Sequence, residues 1–469
     1  MKPVILMLSA TLLAGCAATP ARELPAASLQ SGWTGVEASA GNADPAIAWW
    51  TLFRDPALDA LVARAEARNL DLRAAEAGVR EARALRAAAG AELLPQIDAS
   101  ADVSRGRSLQ AAGVRESGRI AASASWEADL FGRLQSERRA RIAELEASEA
   151  DRDAVRLTLL AEVAGSYLEY RLYRVQQSLA LKTEEAQART LRITEARFRL
   201  GMGSRLDVER AQVQLANVRA ALPQAEELAA AAFHRLALLT AETPETLAPL
   251  LAQAPEAAAL PTADAQTVFG TPTQVLAQRP DVRAAERRLA AAGATRAATQ
   301  ALRYPRLDLV ALLGLESADV SEVLDGSRTW SVSAGLLAPL FDFGRIRAAI
   351  DAADAREEQA YLGYELAVRT ALQEAQTALV RYTQGQLREQ ALADAASASR
   401  RAADLARRQY QQGALSLFEV LDAERSLYEA ERDWSGARAE VALRLVELYR
   451  TMGVVPPRDK AEAEADRLS

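Results

Sequence analysis

The sequence has little of what most enzymes need at an active site. Its 469 residues include one histidine and one cysteine, Cys16. Zinc centres use clustered cysteine, histidine and acidic ligands, and a serine or cysteine nucleophile ordinarily needs a histidine base. A single cysteine also allows no disulfide within the chain. We therefore predict a protein that is not an enzyme and that holds no metal and no cofactor.

Positive charge is not clustered anywhere along the chain. Charged residues make up 25% of the sequence, both signs are mixed and the formal net charge is -7. A nucleic-acid-binding surface is usually basic, with its lysines and arginines grouped together. We therefore predict no nucleic-acid partner.

The first 15 residues have the layout of a secretory signal, with an apolar run from Val4 to Leu13 that is too short for a membrane-spanning helix. Leu13-Ala14-Gly15-Cys16 resembles the bacterial lipobox, whose cysteine becomes the lipidated first residue of the mature protein. The alternative is an unmodified cysteine in a signal sequence. Ala17 stands where an aspartate favours inner-membrane retention, so the resemblance implies an outer-membrane destination. We predict that residues 16–55 form a lipidated, extended arm.

A six-residue word occurs twice in the chain. Asp71–Glu76 returns as Asp281–Glu286, at an offset of 281 − 71 = 210 residues. Further matches are Leu94-Pro95 with Tyr304-Pro305 at the same offset, and Phe131-Gly132-Arg133 with Phe343-Gly344-Arg345 at 343 − 131 = 212. The chain is therefore one long unit written twice. The predicted divisions are a first repeat (56–239), a connector (240–275), a second repeat (276–452) and a tail (453–469).

Each repeat contains two segments in which apolar and polar residues alternate. We predict strands at about 96–104, 119–127, 306–316 and 329–337. Each has about the 9–11 residues that a transmembrane strand needs, with Trp126 and Trp330 as interface aromatics. The alternative is a soluble hairpin packed on a core. If the strands span a membrane, several copies must share one barrel, because free sheet edges cannot lie in lipid.

Each pair of strands precedes a long proline-free helical run, Arg133 to Leu200 and Arg345 to Gln412. Both runs end at turns that combine glycine with a serine suited to cap the returning helix: Gly201 with Ser204, and Gly413 with Ser416. Small and apolar residues recur along the runs at helical spacing, as in coiled coils. Each repeat is therefore predicted to carry a long helical hairpin.

These features together resemble the outer-membrane factor family of TolC-like and OprM-like exit ducts, in particular its NodT-like lipoprotein branch. The motifs that carry the resemblance are Leu276–Glu286, Phe341–Arg345, Tyr410–Gly413 and Glu419–Glu424. The resemblance implies a mainly α fold with a membrane β-barrel portion: a homotrimer whose twelve-stranded barrel stands on a periplasmic α-barrel. It implies a passive duct in the outer membrane lipid that conducts small molecules.

The same resemblance implies two partners for such a duct. A periplasmic adaptor, or membrane fusion protein, would dock at the hairpin tips, which are Gly201, Ser204, Gly413 and Ser416. An inner-membrane pump, commonly of the proton-driven RND class, would supply the energy. Two other classes stay open from the residues: a periplasmic adaptor, and a structural coiled-coil lipoprotein.

The resemblance also implies a periplasmic gate in the second hairpin. Phe418 and Asp422 match an apolar and an acidic constriction residue of OprM-like members, while Glu419 and Asp422 match paired acidic rings of TolC-like members. A ring of carboxylates would favour cations. The alternative is that Glu419 and Asp422 merely occupy the first helical turn, where acidic residues are favoured.

TolC-like gates also have a latch, in which a tip arginine binds an aspartate of the first hairpin. Asp207 and Tyr410 match latch positions, but Leu415 stands in the place of the arginine. Arg205 is the candidate substitute from a neighbouring hairpin. The sequence identifies neither the transported substrate nor the cognate pump.

Overall fold

The computed structural model describes residue 33 and residues 48–107, 114–252, 260–261 and 271–456. Cys16, the signal sequence, most of the predicted arm, part of the connector and residues 457–469 lie outside this range. None of the helices in the described ranges has both the length and the apolar character needed to cross a membrane.

Helices and strands follow one another in the predicted order. They are α1 (Pro56–Arg68), α2 (Leu70–Ala91), β1 (Gln96–Arg107), β2 (Val114–Ala128), α3 (Arg133–Arg199), α4 (Arg205–Thr240), α5 (Pro244–Ala252), α6 (Pro272–Gln278), α7 (Pro280–Ala301), β3 (Arg306–Ser317), β4 (Ser327–Leu337), α8 (Arg345–Gln411) and α9 (Leu417–Thr451). Short 3-10 helices precede α1 at Trp49–Phe53 and join β3 to β4 at Val320–Asp325.

The duplication seen in the sequence is also a duplication of structure. Helices α2 and α7 start 280 − 70 = 210 residues apart and end 301 − 91 = 210 apart. Helices α3 and α8 keep the second offset, 345 − 133 = 212 and 411 − 199 = 212. Both repeats therefore contain the same elements in the same order.

The described residues form two compact units, and each unit takes part of both repeats. The first consists of residues 77–150 and 283–367 and carries the sheet. The second consists of the described parts of 28–76, 151–282 and 368–469, and carries the turns of both helical hairpins.

The sheet of the first unit is antiparallel, with strands in the order β1-β2-β3-β4. Gln96 lies opposite Ser125 in the first hairpin, and Arg306 lies opposite Leu337 in the second. These two pairs differ by the repeat offsets, 306 − 96 = 210 and 337 − 125 = 212. The two hairpins therefore have the same register.

One face of this sheet is apolar across all four strands. In one row Ala99, Ala122, Leu313 and Trp330 lie opposite one another. The described residues leave this face uncovered, since Leu313 is 64% and Trp330 76% exposed. A soluble hairpin would bury such a face on a core, whereas contact with lipid requires it to face outward.

Strands β1 and β2 continue beyond the predicted 96–104 and 119–127. The extension follows from polar pairs that continue the ladder after the apolar alternation has ended. Arg105 lies opposite Glu116, with 3.2 Å between Arg105 Nε and Glu116 Oε1. Opposite charges on facing strand positions stabilise pairing, so the hairpin runs on where hydrophobicity alone predicts its end.

The second unit has a core that includes the start of the described chain. Trp49 is fully buried and stacks on Tyr449, with 5.9 Å between ring centroids. Asp55, also buried, accepts hydrogen bonds from Ala57 N (3.0 Å) and from the Tyr167 hydroxyl (2.6 Å). Burial and the hydrogen bond to Asp55 raise the pKa of Tyr167 well above its usual range. Asp55 thus caps α1 and fixes this segment to α3.

The duplicated six-residue motif that begins at Asp71 and at Asp281 follows, in each repeat, a residue that binds the end of another helix. The side-chain amide of Asn69 donates to Leu239 O at 2.9 Å, and Arg279 Nη1 donates to Thr451 O at 2.8 Å. The donors are 279 − 69 = 210 apart and the acceptors 451 − 239 = 212 apart. The same contact therefore joins the start of α2 to the end of α4, and the start of α7 to the end of α9.

In the second repeat the anchor is a charge cluster around a buried arginine. Arg279 binds Asp281 through two bonds of 3.0 and 2.7 Å, and Glu374 through one of 2.8 Å. Burial raises the pKa of Asp281, but the hydrogen bonds from Arg279 outweigh it and bring the pKa below its ordinary value. Gly453, with φ of 71°, packs directly against Arg279. A side chain would clash there, since a Cβ would lie 2.8 Å from Arg279 Cα.

Candidate gate at the hairpin turns

The first hairpin turns between α3 and α4 through Gly201, whose φ of 72° suits glycine. Ser204 then caps α4, because its hydroxyl accepts from Asp207 N at 3.1 Å. In return, Asp207 Oδ2 accepts from the Ser204 backbone and hydroxyl at 3.1 and 2.8 Å. The predicted latch aspartate is therefore bound within its own turn.

The second hairpin turns between α8 and α9 in the same way, through Gly413 with φ of 77°. Ser416 forms a capping box with Glu419, whose Oε2 accepts from the serine backbone at 2.9 Å and from its hydroxyl at 2.8 Å. These hydrogen bonds, that from the Ser416 side chain first, lower the pKa of Glu419 below its ordinary value. The two groups that bind Glu419 in this capping box, the backbone N–H and the hydroxyl of Ser416, are uncharged. They therefore do not neutralise the charge of the Glu419 carboxylate.

Acidification is expected to loosen the first turn of α9. A lowered pKa in the folded state gives stability that is complete above the unfolded pKa and lost as the pH falls through the folded pKa. The capping contribution of Glu419 therefore holds at neutral pH and disappears below its ordinary pKa of 4.5. We expect the protection of the amides of residues 417–420, measured relative to intrinsic exchange at the same pH, to fall in that acidic range.

The variant Glu419→Gln should show weakened protection of this turn at every pH, without the acid-dependent step. Glu429→Gln, in the same helix but outside the capping box, is the matched control and should keep the step. Persistence of the step in Glu419→Gln would assign it to another group. Hydrogen exchange with mass spectrometry resolves the segment.

Two arginines of the first hairpin lie over predicted gate residues of the second. Arg197 of α3 places its guanidinium carbon 4.4 Å from the centroid of the Tyr410 ring. Arg210 of α4 does the same for Phe418 at 5.2 Å. Both distances lie in the range of cation–π attraction. Arg197 and Arg210 were not predicted, since nothing in the local sequence marks a contact between two distant helices.

Three predicted gate residues share the exposed side of the start of α9. Phe418, Glu419 and Asp422 are exposed, whereas Val420 and Leu421 between them are buried. Asp422 Oδ1 lies 2.6 Å from Arg425 Nη2, and both side chains are about half exposed. The negative charge of Asp422 is therefore balanced by an arginine, whereas Glu419 is bound by uncharged groups.

Arg205, the candidate substitute for the missing latch arginine, binds Glu209 within its own helix at 2.6 Å. Leu415, in the place of that arginine, is half-buried. Within one chain the structure therefore brings neither residue to Asp207, and the predicted latch pairing between neighbouring hairpins stays a prediction.

A buried carboxylate, Glu424, lies two residues beyond Asp422, on the buried side of α9. It accepts from Gln187 Nε2 of α3 at 3.0 Å and from Arg407 Nε of α8 at 2.8 Å, and its side chain is 4% exposed. Glu424 thereby joins the second hairpin to the outgoing helix of the first. The sequence does give a signal for it, since the first-repeat copy of Glu424 is the neutral Gln212 (424 − 212 = 212).

The first turn also exposes three large apolar side chains, which we call the first-turn patch. They are Leu200 (74% exposed), Met202 (69%) and Leu206 (56%). Exposed apolar groups at a turn of this kind indicate a contact surface. Gly201 and Ser204, predicted as docking positions, lie within the same turn.

The two predicted interface tryptophans both lie on the apolar face of the sheet. Trp126 lies opposite Leu309 near the helical end and donates from its indole to Leu93 O at 2.9 Å. Trp330 lies opposite Leu313, four positions further along β3 (313 − 309 = 4). The level of Trp126, next to the helices, fits an interface aromatic.

The structure describes no group of His, Cys, Asp and Glu side chains arranged to hold a metal ion. Duplicated helical hairpins, joined to a sheet with an exposed apolar face, define instead a membrane channel of the outer-membrane type. A periplasmic adaptor or a coiled-coil lipoprotein would lack the second hairpin or the sheet.

Comparison with known proteins identifies the family to which this channel belongs. The model of the family described as outer membrane efflux protein matches residues 61–242 and 271–454, and the chain belongs to this family. The pyoverdine export outer membrane protein OpmQ of Pseudomonas aeruginosa is 34% identical, and the alignment covers 97% of this chain and 96% of that protein. Outer membrane protein OprJ of the same species is 30% identical, with 95% and 94% covered.

A solved structure of the outer-membrane channel OprN gives a TM-score of 0.84 at 33% identity, covering 93% of this chain and 99% of that one. A structure of the MtrE outer membrane channel of Neisseria gonorrhoeae gives 0.85 at 28% identity, covering 93% and 98%. The predicted family and fold class are confirmed. The chain is an outer-membrane exit channel for efflux.

Proposed function

We propose that this channel works as a homotrimer in which the four strands of each chain form one third of a shared barrel. The observation that carries this proposal is a sheet with an apolar face whose two edge strands, β1 and β4, pair with no other described strand on their outer sides. In lipid, the unpaired backbone groups of a free edge would each cost several kcal/mol. Closure by further copies of the chain removes both edges.

We assign the remaining divisions of the chain as the sequence predicts them. Residues 1–15 act as the signal, and lipidation of Cys16 anchors the arm of residues 16–55 to the outer membrane. Residues 240–275 connect the two repeats, and 453–469 form the tail. A pair of acyl chains anchors a protein but does not span a bilayer, so the strands alone carry the channel across.

We assign the gate to the exposed side of α9, with Phe418, Glu419 and Asp422 at the constriction. The cation–π contact on Phe418 supports this assignment, because it holds that ring against the first hairpin. We assign Asp207 and Tyr410 to the same gate, because Asp207 closes the capping box of the first turn and Tyr410 of the second hairpin packs its ring under Arg197 of the first.

A periplasmic adaptor docks at the two turns, around Gly201, Ser204, Gly413 and Ser416. The first-turn patch supports this step, since an apolar tip of a helical hairpin suits a helical partner. Beyond the adaptor, an inner-membrane pump of the RND class supplies the energy, and the channel itself is a passive conduit and not an enzyme. Relatives are named for pyoverdine export and for toluene efflux, so we assign the choice of cargo to the pump.

Two measurements on the purified protein test the trimer and the duct. On a denaturing gel without heating, the protein should run as a trimer that heat converts to a monomer. In a planar bilayer, the same preparation should conduct ions. A monomer that never conducts would contradict the proposal, and a heated sample of the same preparation is the control.

A further inference from the structure

Arg133, at the start of α3, is fully paired within its own chain. Its guanidinium binds Glu127 through two bonds of 3.1 and 2.7 Å, and Glu137 through one of 2.8 Å. It lines a cavity of about 420 Å³ together with Leu302, which follows α7, and Arg345 borders the same cavity from the other side of the strand start at Arg306. At this junction, therefore, an arginine with its own acidic partners faces an apolar residue.

Arg345 is the copy of Arg133 in the second repeat, but it has lost both partners. The copies of Glu127 and Glu137 are Pro339 (127 + 212) and Ala349 (137 + 212). Arg345 is exposed and has no ion pair among the described residues. Its charge helps lower the pKa of Asp342, after the hydrogen bond from Ile346 N, yet that carboxylate is already occupied in capping α8.

The apolar residues next to Arg345 are also uncovered. Leu340, Phe341 and Phe343 are 95%, 78% and 90% exposed. In the first repeat Phe131, the copy of Phe343, is 38% exposed and stacks on Tyr304, with 4.7 Å between ring centroids. The junction of β2 with α3 is thus covered by the end of α7, while the junction of β4 with α8 has no such cover among the described residues.

The duplication predicts which segment would cover the junction of β4 with α8. The copy of the segment after α7 is the segment after α2, so Leu302 corresponds to Glu92 (302 − 210) and Tyr304 to Leu94 (304 − 210). Glu92 is exposed and makes no ion pair with a described residue, and Leu94 is 65% exposed. An acid therefore stands in the place of Leu302 at the one junction where the arginine lacks an acid.

We propose that the segment after α2 of a second copy covers the junction of β4 with α8, and that its Glu92 carboxylate binds Arg345. This interface rests on the proposed shared barrel, because it needs β4 of one copy to pair with β1 of the next. The charges support it. Arg133 keeps its own acids and meets Leu302 of its own chain, whereas Arg345 has no ion pair among the described residues and the copy of Leu302 that it would meet in the next subunit is Glu92.

The repeat also fixes the register of the two edge strands. Ala124 lies opposite Ala311 within the chain. Shifting each residue by its own offset gives Leu336 (124 + 212) opposite Ala101 (311 − 210) of the next copy. Both belong to the apolar face of the sheet, so this register continues that face from one copy to the next.

Charge reversal tests the ion pair. We expect Arg345→Glu and Glu92→Arg each to lower the temperature at which the trimer dissociates in detergent, since each brings like charges together at every junction. The double variant should recover the wild-type temperature. Arg347→Glu combined with Glu92→Arg is the matched control and should give no recovery. Absence of recovery in the first double variant would overturn the pairing.

Cysteine pairs test the register independently. Directly opposite residues of antiparallel strands have Cβ atoms about 4.5–5.5 Å apart, within reach of a short thiol cross-linker. Leu336→Cys with Ala101→Cys should give a covalent trimer, whereas the shifted pair Leu336→Cys with Val103→Cys should not. Wild-type protein, whose only cysteine is Cys16, and the two single variants are controls for background and assembly.

These outcomes separate the interface from the proposed function. A wild-type trimer that conducts, combined with cross-linking of the shifted pair alone, would refute the register and leave the channel proposal standing. Loss of the wild-type trimer and of its conductance would refute the channel proposal itself.

Discussion

Replacement of Arg279 by alanine is expected to lower the free energy of unfolding by about 3 kcal/mol, near the low end for breaking a buried charge pair. The arginine side chain is 6% exposed, but Asp281 and Glu374 are 46% and 34% exposed, so water relieves part of their lost pairing. The substitution also removes the bond to Thr451 O at the end of α9. Urea unfolding in detergent, followed by circular dichroism, measures the change.

The matched comparison is Asn69→Ala, which removes the copied contact in the first repeat. Asn69 donates to Leu239 O and accepts from Leu72 N at 3.0 Å, and it carries no charge. Its loss should cost about 1–2 kcal/mol, in the lower part of the range for leaving buried neutral groups unpaired. Equal losses in the two variants would mean that the carboxylates add nothing to the backbone anchor.

The Arg279 cluster should also make stability depend on pH. Since the pKa of Asp281 is lowered in the folded chain, its contribution is complete above the ordinary aspartate pKa. The contribution is lost as the pH falls through the lowered value. In Arg279→Ala this part of the acid dependence should be absent.

Local chemistry explains why so much of the fold was predictable. The duplication could be read from copied words, the strands from a period of two, and the hairpin turns from glycine followed by serine. Ser204 and Ser416 form the expected capping boxes, because the acids three residues later, Asp207 and Glu419, are within reach of each serine. Such signals lie within a few residues, so they survive in a single sequence.

Contacts between distant helices carry no such signal. Arg197 meets Tyr410 and Gln187 meets Glu424 only because long helices pack with one particular rotation. A local sequence pattern shows neither that rotation nor the helix with which each face packs. Comparison of the two repeats is the exception, since a residue that differs from its copy, such as Glu424 or Glu92, marks a place where the environments of the copies differ.

The gate offers the second large expected effect. Asp422→Ala should raise the single-channel conductance, because it removes one ring of side chains from the proposed constriction and breaks the ion pair that holds Arg425 beside it. The freed arginines would add positive charge at the throat, so cation selectivity should fall in the same variant. Conductance and reversal potential in a salt gradient report the two quantities together.

Arg425→Ala is the matched control, since it breaks the same ion pair from the other side. The carboxylate of Asp422 would then stand uncompensated next to that of Glu419, whose partner among the described residues is the uncharged Ser416. Cation selectivity should therefore rise, opposite to the shift in Asp422→Ala. An unchanged conductance in Asp422→Ala, with no shift of selectivity in either variant, would leave Asp422 as an acid of the first helical turns and nothing more. Opposite shifts place both charges in the ion path, because only a charge close to the permeating ions changes selectivity according to its sign.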